Sequence, residues 1–62
     1  MTDTLLASID RILSEARTDL QVLDQTADSR TLTPDEVHEV RYLRKLIDAE
    51  TRVRARILAE LE

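Results

Sequence analysis

The sequence predicts an all-α fold. It is an antiparallel two-helix hairpin, with helices over about 3–28 and 34–61, expected to pair with a second copy into a homodimeric four-helix bundle. Three observations predict it. The chain has 62 residues with no glycine, no cysteine, no Phe or Trp and one proline, so strands and tight hairpins lack their usual residues. Apolar residues recur at alternating three- and four-residue steps on both sides of that proline, the signature of a packed helical seam. And so short a chain buries little of its own surface, so a single domain spanning 1–62 is marginal alone.

The break between the helices is written in Leu32-Thr33-Pro34-Asp35-Glu36-Val37. Pro34 has a fixed φ and no N–H, which suits the first helical position. It pushes Thr33 out of the α region, where its hydroxyl can cap the helix. Glu36, three residues on, can reach back and close a capping box. Leu32 and Val37 have the spacing of a hydrophobic staple. Asp35 and Glu36 place negative charge at the positive end of the helix dipole. The turn is expected over 29–33, too short for anything but antiparallel neighbours.

Helix one carries the seam Leu6, Ile9, Leu13, Ala16, Leu20, Leu23 and Ala27, widened by Leu5 and Ile12. Thr2 or Asp3 is expected to cap its start. Asp10, Arg17, Asp19 and Asp24 flank the seam, and Val22 is the large residue on the outer side. No glycine stands at the end, so Asp28-Ser29-Arg30-Thr31 must make the exit, with Arg30 near the negative end of the dipole.

Helix two carries the seam Val40, Leu43, Ile47, Glu50, Arg54, Ile57 and Leu61. Leu46, Val53 and Leu58 widen it to roughly 140°, more than one helix covers. Val40, Tyr42, Leu46, Val53, Ile57 and Leu58 are therefore the expected face for a second copy or another protein. Glu50 and Arg54 stand in the middle of the apolar stretch, where charge is costly unless paired. The expected register sets Leu13 and Ile9 of helix one opposite them. Helix one would then offer only apolar side chains, and the partners of Glu50 and Arg54 would come from each other, from water or from another chain. In an antiparallel pair of helix-two segments the two residues would fix register and specificity.

The outer face of helix two bears Arg41, Arg44, Lys45, Arg52 and Arg56, with Asp48 among them. This stripe is either a solvated face or a contact for phosphates or an acidic partner. The net charge of −4 and the single aromatic, Tyr42, count against nucleic acid. The layout nonetheless resembles the repressor of primer, a plasmid copy-number RNA-binding hairpin that pairs into a four-helix bundle. The likeness is architectural and spans the whole chain, with no shared motif, so it implies a fold and a possible RNA partner but no residue roles.

No catalytic set, cofactor loop or metal box stands out. Without cysteine there is no disulfide or thiolate site, and the one histidine, His38, sits off the seam beside Asp35. The longest uninterrupted apolar runs are three residues, too short to cross a membrane. The N-terminus lacks a basic stretch before an apolar run, so no secretory signal is read there, and a cytoplasmic setting is expected. The expected function is a small non-enzymatic protein–protein interaction or assembly module acting as a dimer. It would be a regulator, adaptor or structural accessory of a bacterium or phage. The alternative is an RNA/DNA-binding regulator using the basic face of helix two, and salt-sensitive retention of RNA or DNA on a filter would separate the two.

Overall fold

A computed structural model describes residues 2–61, with side chains described for 3–61. Helix α1 spans Thr2–Ser29 and α2 spans Pro34–Leu61, 28 residues each. The connection is Arg30 to Thr33. The expected helix bounds hold within one residue, and the two helices pack against each other along their length.

Local chemistry explains the turn. The Glu36 N–H donates to Thr33 Oγ1 at 3.2 Å, and the Thr33 N–H donates to Glu36 Oε1 at 2.9 Å. That is the reciprocal capping box expected of a Thr before Pro34. The Val37 N–H then donates to the Thr33 carbonyl at 3.0 Å, the first hydrogen bond of the new helix. At the other side of the turn the Arg30 N–H donates to the Thr26 carbonyl at 2.9 Å, closing α1. No described residue has a positive φ, so the exit is made without the left-handed residue that a C′ glycine usually supplies. The cap expected of Thr2 falls on a side chain outside the described residues. Asp3 lies within the first turn of α1, where its charge meets the positive dipole end.

Arg30 does more than answer the dipole. Its guanidinium reaches across the turn and donates from both terminal nitrogens to the two Glu36 carboxylate oxygens, each at 2.8 Å. A planar fork against a carboxylate is the strongest geometry for such a pair. Arg30 Nη1 also donates to the Thr31 carbonyl at 3.2 Å. Glu36 thus ties the end of α1 to the start of α2. Its carboxyl is held down at about 2, chiefly by the Arg30 hydrogen bonds and next by the Thr33 N–H. The Arg30 guanidinium is raised in return.

A folded-state value below the unfolded one stabilises the fold above the ordinary value of 4.5, and this contribution is lost as pH falls through about 2. Glu36→Gln is expected to melt at lower temperature than the wild type near neutrality. The difference should narrow as pH falls from about 4.5 towards about 2. A difference that does not change with pH would contradict the role given to this charge.

The core is thin. Ile9, Leu13, Ala16 and Leu43 are the buried side chains among the described residues. The rest of the seam is half-buried: Leu6, Leu20 and Leu23 on α1, and Val40, Ile47, Glu50, Arg54 and Ile57 on α2. Ala27 and Leu61, the last seam positions on each helix, are exposed. The Cα radius of gyration is 14.2 Å, against roughly 10.6 Å for a compact domain of this length. The molecule is a rod two helices wide, 46 × 15 × 14 Å, with no third layer to close its sides.

Candidate protein interaction surface

Two helices side by side leave two open flanks. Residues seven or eleven apart return to nearly the same side of a helix. On α2 this groups Leu46 with Val53 and Ile57, and Val40 with Thr51 and Leu58. The grooves between the helices fall on the same two sides, Leu46 lining one and Thr51 the other. One groove, about 370 Å³, is lined by Ile12 and Ala16 of α1 and by Tyr42, Leu43 and Leu46 of α2. The other, about 510 Å³, is lined by Asp10, Ser14, Arg17 and Thr18 of α1 and by Thr51 and Arg54 of α2.

The face expected of helix two is therefore two faces. Tyr42, Leu46, Val53 and Ile57 share the first flank, while Val40 and Leu58 lie on the second. The contact ridge with α1, centred on buried Leu43, runs between them. A roughly 140° apolar arc is wide enough to reach both sides of a neighbouring helix.

The first flank is the more apolar. Tyr42 is 60% exposed, Val53 46% and Leu5 50%, and Ile12 lies open beside them on α1. These are large side chains at helical spacing on adjoining elements, which makes them one surface rather than scattered exposures. Glu15, Asp19 and Glu39 edge the same groove.

The second flank is polar, and it corrects the reading of Arg54. Arg54 Nε donates to Asp10 Oδ1 of α1 at 2.7 Å. Helix one therefore does supply a partner, because Asp10 stands one residue past Ile9 on the edge of the seam and the arginine stem is long enough to reach it. Both side chains are about half exposed, 40% for Arg54 and 52% for Asp10. Solvent screening limits such a pair to about 0–1 kcal/mol. Its main effect is on register, since it levels residue 54 of α2 with residue 10 of α1.

Glu50 is left without that arginine. Among the described residues no cation lies within ion-pair distance of its half-buried carboxylate. The two residues expected to act together thus do different things in the hairpin.

The basic stripe is on the back of α2, away from both flanks. Arg41, Arg44, Lys45, Arg52 and Arg56 are all exposed. Arg52 pairs with Asp48 at 3.2 Å, four residues apart and largely in solvent. Among the described residues none of the other four is in an ion pair. His38 and Asp35 are exposed in the first turn of α2, and no three His, Asp or Glu side chains converge as a metal-binding group among the described residues. No described helix is long and apolar enough to cross a membrane.

Sequence reasoning missed Asp10 and the Arg30–Glu36 fork. The first was accessible, since the expected register already set Ile9 level with Arg54. The second joins residues on either side of a turn, where no helical spacing rule applies. Comparison with protein-family models, with characterised proteins and with solved structures finds no match to this chain, so no residue role is carried over from another protein.

Proposed function

We propose that the chain is a non-enzymatic protein–protein interaction module that acts as a dimer. Two hairpins pair through the flank of Leu5, Ile12, Tyr42, Leu46, Val53 and Ile57, completing a four-helix bundle. The remaining surface, with the basic stripe on the back of α2, then faces a further protein, as suits a regulator, adaptor or structural accessory.

The observation that carries this reading is the surplus of surface. The hairpin exposes 4949 Å². A globular chain of its mass exposes about 4,100 Å². The excess, roughly 850 Å², is close to what one partner contributes to a standard protein interface, about 800 Å². It coincides with a flank of large apolar side chains, which is where burial is favourable, at about 25 cal/mol per Å².

The mass of the chain in solution tests the proposal. Sedimentation equilibrium is expected to show a species of twice the 7.1 kDa of one chain. A 7.1 kDa species at every concentration would overturn it.

A further inference from the structure

We propose that the second copy lays its α2 antiparallel against α2, about a two-fold axis level with the Ala49–Glu50 peptide. This deepens the dimer reading above and rests on it. The α2 side of the apolar flank reads alike in both directions. Leu46 and Val53 stand at equal distances on either side of the Ala49–Glu50 midpoint. An antiparallel two-fold pairing therefore sets each Leu46 on the other copy's Val53, twice over, as an isologous contact requires.

The neighbouring positions fit the same axis. On the side nearer α1, buried Leu43 comes within one residue of the level of the other copy's half-buried Ile57. On the outer side, Ala49 meets the other copy's Ala49, and a residue this small lets the helix backbones approach closely. Tyr42 and Ile57 also stand at equal distances on either side of the midpoint, so each Tyr42 comes level with the other copy's Ile57. Tyr42 is exposed and Ile57 half-buried in the single hairpin. A parallel pairing would instead stack Leu46 on Leu46 and Val53 on Val53, with no use for the symmetry of the flank.

The same axis brings Glu50 beside the other copy's Glu50, while Arg54 is held by Asp10. Two carboxylates at the axis oppose association, and the flanking apolar contacts must exceed that repulsion.

Single-cysteine variants test this cleanly, because the chain has no cysteine. Ala49→Cys is expected to oxidise to a disulfide-linked dimer. Leu46→Cys and Val53→Cys are each expected to stay unlinked alone, since like positions are then about 10 Å apart along the axis, too far for a disulfide. An equimolar mixture of those two is expected to link. Efficient self-linking of Leu46→Cys would overturn the antiparallel arrangement. Linking of Ile12→Cys with Val53→Cys in place of Leu46→Cys with Val53→Cys would overturn it too, by placing α1 against α2. Circular dichroism of each variant keeps unfolding from being taken for absent contact. If sedimentation gives a dimer while the linking pattern differs, the topology fails and the dimer reading stands. A monomer by sedimentation removes both.

Discussion

Leu43→Ala is expected to melt about 8–40 °C below the wild type. Leu43 is 3% exposed and is the buried side chain on α2. Truncating such a leucine costs about 2–5 kcal/mol, from lost transfer energy and from the cavity left behind. A chain of this length has on the order of 3–9 kcal/mol to lose, and each kcal/mol moves the midpoint of a domain this small by roughly 4–8 °C. Leu43 also stands at the corner between the α1 contact and the open flank, beside Ala16 and Leu46 in the groove lining. Its loss therefore weakens the hairpin and, on the proposed assembly, the dimer as well. A melting temperature within about 4 °C of wild type, less than 1 kcal/mol, would mean that the core lies elsewhere.

Leu46→Glu combined with Val53→Glu is expected to weaken self-association by at least about 100-fold, roughly 2.8 kcal/mol. Two-fold symmetry would bring four new carboxylates into one interface, next to the two Glu50 side chains. Each substitution also removes an apolar side chain whose full burial stabilises by about 1.5–3 kcal/mol. Leu46 is already half covered within the hairpin and Val53 is exposed, so a good part of that burial is left for a partner to supply. Arg44→Glu, on the back of α2, changes the charge without touching the flank and should leave association nearly unaltered. Sedimentation velocity of the two variants side by side measures the contrast. Equal dimer content in both would place the interface on another surface.

How far the fold could be read from the sequence depended on the range of the interactions. Thr33, Pro34 and Glu36 act within one turn of helix, and their spacing alone located the break and the cap. The heptad steps of Ile9, Leu13, Ala16 and Leu43 identified the residues that became the core. The Asp10–Arg54 pair depends on how far α1 is rotated about its axis and on the reach of an arginine, and neither is set by local spacing. The same rotation decides which side chains of the wide α2 face are covered. The face was read as one surface, but α1 divides it, sending Val40 and Leu58 to one flank and Tyr42, Leu46, Val53 and Ile57 to the other. The basic stripe needed no such knowledge. Arg41, Arg44, Lys45, Arg52 and Arg56 lie opposite the seam, so periodicity alone placed them outward.

On the proposed assembly the hairpin is incomplete alone and closes its open flank with a second copy. Anything that binds only the folded chain stabilises it by mass action, so assembly and folding should fall together on dilution. Sedimentation equilibrium of the wild-type chain along a dilution series, with helicity recorded on the same samples, measures this directly. The account predicts a mass of twice 7.1 kDa at high concentration, with mass and helicity declining together as the chain is diluted. A 7.1 kDa species that keeps its full helicity throughout would contradict it.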